Sequence, residues 1–289
     1  MSSDYNQLLD ATIRHVQELK ARGVRHIVVA PENLAALSQA APKTSSRTSP
    51  AIAPTPIVSA APVKPAAAFK PVAAPPVTRH SSSDKMAAYD ELQKRVLACV
   101  KCPHLAASRK TVVFGVGSIE AELMFVGEAP GADEDEQGEP FVGKAGQLLT
   151  KIIQTMGLSR ETVYIANILK CRPDTPGQSA GNRKPTPEEM QTCIPYLHEQ
   201  IDLIKPKVIV ALGATAVEGL LGKTIGITKL RGNWREYRGT PLMPTYHPAY
   251  LLRNQALSEK RNVWEDMLAA MEKLGMPITE KQRGYFLKA

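Results

Sequence analysis

The sequence predicts an α/β protein: a three-layer sandwich with a central, mainly parallel four-stranded sheet, preceded by a small helical segment and a disordered linker. Three observations carry this expectation. Apolar runs recur at residues 121–126, 162–169, 207–212 and 241–245, with helical stripes between and after them, and strands alternating with helices argue for a parallel sheet covered on both faces. Each run ends in residues rich in Gly, Pro, Asn or His, the edge where such sheets bind ligands. The front of the chain has a different composition altogether.

Taken in order, Tyr5, Leu8, Leu9, Ile13, Val16 and Leu19 recur at three- and four-residue steps, one face of an amphipathic helix that Gly23 ends. Residues 24–29 read as a short extended segment. About 40 residues cannot easily build a core of their own, so residues 1–40 are expected to dock on another body. From Ala41 to His80 there are 9 Pro, 10 Ala and no acidic residue, a composition too poor in core formers to offset chain ordering, and residues 41–85 are assigned as a linker. The α/β domain is placed at 86–289. Its helices are expected at 147–156, from 187 onward, at 215–221 and at 262–274.

The chain has 289 residues, 31.4 kDa and a net charge of +8. Residues 1–85 hold 10 Lys and Arg against 5 Asp and Glu, so most of the basic excess sits in the front third. A polyanionic partner fits that balance, but a nucleic-acid site in the back part must rest on local placement of charge. No run reaches the roughly 18 apolar residues a membrane span needs, and the opening MSSDYNQLLD lacks a secretory pattern. A cytoplasmic protein without membrane partners is expected.

Four cysteines are too few for a disulfide scaffold in a chain of this length. Cys99 and Cys102 form a C-x2-C, and Cys171 and Cys193 complete a set of four. Four thiolates suit a tetrahedral zinc or an iron–sulfur cluster, and spacing does not separate the two. Four unrelated buried thiols are the plain alternative, against which stand the loop surroundings of Lys101, His104 and Arg172-Pro173.

Three segments at strand ends carry candidate chemistry. Gly127-Glu128-Ala129-Pro130-Gly131 leads to Pro140-Phe141-Val142-Gly143, where an aromatic sits on a glycine-rich loop. Asn167 lies in an apolar strand, a costly place for an amide unless its donor and acceptor are both used. It can read one edge of a nucleobase or simply bond to nearby backbone. His247 is fixed by Pro248 and followed by an apolar tip and Arg253, the wedge and cation that base extrusion requires. Taken alone, a histidine before a proline fits a structural role equally well.

Together, G-E-A-P-G with P-F-V-G-x-A-G, N-I-L-K-C-R-P, H-P-A-Y-L-L-R and the ordered cysteines resemble family 4 uracil-DNA glycosylases, over about two thirds of the chain. The resemblance implies an enzyme of DNA repair that flips uracil out of single- or double-stranded DNA and hydrolyses its N-glycosidic bond, leaving an abasic site. It implies a 4Fe-4S cluster on Cys99, Cys102, Cys171 and Cys193. Asn167 matches the uracil-reading amide and Phe141 the stacking ring. Gly127 and Ala129 match positions that line the uracil pocket. His247 matches the donor to uracil O2, Leu251 the inserted leucine and Arg253 a phosphate ligand. Glu128 matches a residue that positions water or sugar. Glu134 stands as a candidate for rejecting thymine. The partner is uracil-containing DNA, the catalytic domain is expected to be monomeric, and residues 1–40 are read as a tether to a replication or repair protein. A covalent-trapping branch carries a histidine near residues 180–186 and a glutamine in the first motif, and neither is present here. Turnover is therefore expected. Readings from other classes are a non-catalytic metal-cluster nucleic-acid-binding protein and a zinc-stabilised domain.

Overall fold

The computed structural model describes residues 82–174, 182–222 and 226–287. The elements run α1 (Ser82–Leu97), α2 (Pro103–Ser108), β1 (Val116–Gly117), β2 (Leu123–Gly127), α3 (Ala132–Gln137), α4 (Lys144–Thr155), β3 (Tyr164–Asn167) and α5 (Pro187–Ile204). They continue with β4 (Val208–Leu212), α6 (Ala214–Leu221), α7 (Ile227–Leu230), β5 (Arg235–Tyr237), β6 (Thr240–Thr245), α8 (Pro248–Arg253), α9 (Leu257–Lys273) and α10 (Glu280–Gly284). The expectations for residues 1–40 and 41–81 lie outside the described residues. The last four positions assigned to the linker instead open α1.

Strand order is β1-β3-β2-β4-β6-β5. The four apolar runs form the parallel centre, β3, β2, β4 and β6, while β1 and β5 add antiparallel edges. The sheet is thus six-stranded and mixed rather than four-stranded. The added edges left no hydrophobic trace, because β1 has two residues and β5 reads Arg-Glu-Tyr.

Alternation along the strands builds the layers, since successive side chains point to opposite faces. Leu123, Phe125, Ile165, Val208, Val210 and Met243 pack with Leu149 and Ile153 of α4 and with Trp264, Met267 and Met271 of α9. Met124, Val126, Tyr164, Ala166, Ile209 and Leu242 pack on the other face with Leu92 and Val96 of α1, Leu197 and Ile201 of α5 and Val217 of α6. Helix α5 starts where sequence reading puts it. Thr186 Oγ1 accepts from the Glu189 N–H, the Glu189 carboxylate accepts from the Thr186 N–H, and Pro187 needs no partner for a missing donor. Among the described residues no helix is long and apolar enough to cross a membrane.

The parallel strands deliver Gly127, Asn167, Gly213 and Tyr246-His247 to one edge. The last of these is fixed by a buried ion pair. Asp266 of α9 accepts from Arg231 Nη2 at 2.7 Å and Nε at 3.1 Å, and from the Thr245 hydroxyl at 2.6 Å, joining the end of β6 to the closing helix. Removing one partner of such a pair leaves a buried charge uncompensated. Asp266→Ala is expected to lower the unfolding free energy by about 3 to 5 kcal/mol in denaturant titration; a loss below about 1 kcal/mol would contradict this anchoring role.

Candidate active site

Gly127 and Asn167 are register partners at the ends of neighbouring parallel strands. A Cβ placed on Gly127 would overlap Asn167 Oδ1 and come within 2.5 Å of Phe141 Cζ, so the missing side chain at 127 is what lets amide and ring share one space. Asn167 is 2 % exposed, and its Oδ1 finds no hydrogen-bond partner among the described residues. A buried acceptor left open costs about 1 to 3 kcal/mol, and such an atom calls for a donor from outside the described residues.

Phe141 is held in a left-handed backbone conformation, φ 58°, a strained state for a bulky residue that persists only where the surroundings over-determine it. Both sides of its peptide units are clamped. Glu134 Oε1 accepts from the N–H groups of Val142 and Gly143 at 3.0 Å each, and Oε2 accepts from Gly131. Arg160 donates from Nη1 to the Phe141 carbonyl at 3.1 Å and from Nη2 to the Pro140 carbonyl at 2.7 Å. A further backbone demand falls at Gly146, where any Cβ would collide with the Phe141 carbonyl carbon and oxygen.

His247 caps α8. Its Nδ1 accepts from the Ala249 N–H at 3.1 Å, which assigns the ring proton to Nε2 and makes that nitrogen a donor. Burial, then the nearby positive Arg253, push its pKa down to about 4, so the ring is neutral near pH 7. It lies 5.6 Å from the Phe141 ring centroid with 31° between the planes, and its Cβ would sit 2.9 Å from a Cβ at Gly213. Amide, phenyl ring and neutral imidazole therefore converge, as sequence reading expects. Glu128 follows Gly127, and burial raises its carboxyl pKa against the opposing hydrogen bond to Thr215.

The remaining expected residues divide. Arg253 is exposed on the last turn of α8. Leu251 is 6 % exposed and packs with Tyr246 and Val263, while its neighbour Leu252 is 39 % exposed. Leu251 is thus covered, on a short helix that packs against α4 and against Val263 of α9. Ala129 is half-buried and packs against the α1 and α5 cluster. The two oxygens of Glu134 are occupied by backbone donors, so its place here is to fix the loop. Sequence reasoning missed Arg160, whose partners are carbonyls that carry no residue signature.

All four cysteines line one cavity with Val96, Leu105, Arg109, Leu169, Lys170 and Tyr196. They are free thiols. Burial pushes Cys193 up to about 12 and raises Cys102 and Cys171; a bound metal would displace those protons. Arg109 Nη1 donates to Cys171 Sγ at 3.0 Å, and the Lys170 N–H donates to Cys193 Sγ at 3.3 Å. Among the described residues, no three His, Cys, Asp or Glu side chains are close enough to hold one ion. That donor set, in an apolar wall with Arg109 and Lys170 beside it, fits a group held by thiolates.

Comparison with known proteins gives a family model described as Uracil DNA glycosylase superfamily, matching residues 114–268. A Type-4 uracil-DNA glycosylase of Thermotoga maritima is 47 % identical over 178 residues, 61 % of this chain and 89 % of that protein. One from Sulfurisphaera tokodaii is 39 % identical over 211 residues, 70 % of this chain and 91 % of that protein. A Type-5 uracil-DNA glycosylase of Pyrobaculum aerophilum is 30 % identical over 196 residues, covering 56 % and 83 %.

The buried imidazole makes stability depend on pH. Between about pH 6.5, where a free histidine titrates, and about pH 4, the unfolded chain takes up a proton that folded His247 refuses. Stability is held above that window and lost as pH falls through it, by up to about 3 kcal/mol from this one group. Denaturant titrations at several pH values should show His247→Gln with a shallower decline than wild type over this range; parallel curves would contradict the depressed pKa.

Proposed function

We propose, on the premise that this chain belongs to the uracil DNA glycosylase superfamily, that it removes uracil from DNA by hydrolysing the N-glycosidic bond and leaves an abasic site. The observation that carries this reading is the unpartnered Asn167 Oδ1, facing the space shared with Phe141 and bounded by His247. Uracil offers an N3–H to that oxygen and an O4 to the amide donor. Cytosine presents the reverse pattern, so it would leave buried polar groups opposed, at about 1 to 3 kcal/mol each.

The steps follow from the side chains. Phe141 stacks on the extruded base. The bond between N1 and C1′ breaks with its electron pair passing into the uracil ring, and negative charge accumulates on O2. His247 Nε2–H, neutral and preset by its Nδ1 bond, donates to that oxygen. By analogy with an oxyanion hole, one such donor contributes roughly 3 to 4 kcal/mol to the transition state. Water adds to C1′ and gives up a proton. Glu128, with its carboxyl pKa raised by burial, orients that water, its acidity moved toward the working pH as a proton acceptor requires. Arg253, exposed beside His247 on α8, holds a DNA phosphate.

Exposure supports Leu252, rather than Leu251, as the side chain that enters the base stack. Cys99, Cys102, Cys171 and Cys193, which line one shared cavity, would hold a 4Fe-4S cluster, the group the family resemblance implies for this set of thiols. When bound, it supplies a structural cross-link among the ends of α1, β3 and α5. In the remaining inference from sequence, residues 1–40 tether the catalytic domain to a repair assembly.

An oligonucleotide with one uracil tests the chemistry. Wild-type protein is expected to render it alkali-labile at the uracil, and Asn167→Ala to lower the single-turnover rate by about 100-fold or more. Leu252→Ala should lose more on double-stranded than on single-stranded substrate, since only the duplex needs a wedge. Absence of cleavage by the wild type on both substrates rejects the activity, and equal losses for Leu252→Ala reject the wedge.

A further inference from the structure

Lys170 sits between the two centres and is used by neither. It is 1 % exposed. Its ammonium donates to the Asn167 carbonyl at 3.0 Å and to Gln200 Oε1 at 2.6 Å, both neutral oxygens. Among the described residues, no carboxylate forms an ion pair with it. A fully buried charge in this state is disfavoured unless an opposite charge shares its low-dielectric surroundings. The acids nearest to it are thiols: its backbone N–H donates to Cys193 Sγ at 3.3 Å, and the residue lines the cavity of the four cysteines. Thiolates that bind a metal group lose their protons and bring net negative charge into that cavity. Arg109 offers a second cation at Cys171, but from a partly exposed position.

We propose that Lys170 is the internal counter-ion of the thiolate-held group and, through its bond to the Asn167 carbonyl, the positioning residue that couples this group to the base-reading amide. The coupling path is short and rigid. Gln200 Nε2 donates to the Phe114 carbonyl and to Tyr164 Oη, both at 3.0 Å, and Tyr164 Oη lies 2.9 Å from Tyr89 Oη. The ammonium thus holds the end of β3 while its partner amide ties that strand to α5 and, through Tyr89, to α1. Charge in the cavity keeps the ammonium in place, and the ammonium keeps the Asn167 peptide in place.

This inference rests on the cluster reading above, and the test separates the two. Full-length wild type, Lys170→Arg and Lys170→Met are purified without oxygen, and iron, acid-labile sulfide and the reduction potential of the cluster are measured. Removing a buried positive charge disfavours the more negative reduced state, so loaded Lys170→Met is expected at a more negative potential than wild type and Lys170→Arg close to it. Single-turnover uracil release should fall in Lys170→Met and recover in Lys170→Arg. A loaded Lys170→Met with the wild-type potential overturns the counter-ion role. If Lys170→Met takes up no iron, a loaded Lys170→Arg supports the role and an empty one overturns it. Wild-type protein lacking iron and sulfide overturns the cluster reading, and the counter-ion role with it.

Discussion

The absence of a side chain at Gly127 is the constraint on which the site depends. Two parallel strands end side by side, and because one of them ends in glycine, the asparagine that ends the other keeps its amide facing a ring instead of a methyl group. The opposing surface is equally determined. Phe141 occupies a backbone state that bulky residues avoid, and a carboxylate on the N–H side with a guanidinium on the carbonyl side holds it there. His247 closes the third side because a strand end and a buried ion pair fix the chain just before it. An amide, a ring and a neutral imidazole thereby meet before any ligand arrives, which is the preorganisation that transition-state stabilisation needs.

A second centre lies only a few residues further along the chain. β3 ends at Asn167, and Lys170 and Cys171 follow, so a single segment serves the pocket with one residue and the thiol cavity with another. The cavity draws its other thiols from α5 and from the turn after α1. A group bound there joins parts of the chain that are far apart in sequence, and closing such long loops restricts the unfolded chain most. The network of His104, Glu189 and Arg183 works alongside it. Glu189 is held near a pKa of about 2, chiefly by Arg183, and bonds across to His104 of α2.

The parallel centre of the sheet was legible because its strands are buried on both faces and read as unbroken apolar runs. The edge strands were not, since two or three residues with polar side chains leave no period to detect. Asn167, Phe141 and His247 stood out as polar or aromatic groups where burial alone does not explain them, and they do converge. Leu251 is buried where its neighbour is exposed, for a physical reason. In a six-residue helix, adjacent leucines face different ways, and only packing against α4 and Val263 of α9 decides which one is covered. Arg160, Lys170 and Gln200 act on backbone carbonyls and on each other, and such partners exist only once the chain has folded.

The most direct test of the pocket is the single-turnover rate of uracil release by Gly127→Ala, measured beside its affinity for uracil-free DNA. One added methyl fills the space shared by Asn167 and Phe141, so the rate is expected to fall by about 100-fold or more while DNA affinity is retained. Release at the wild-type rate would contradict the claim that the base is read there.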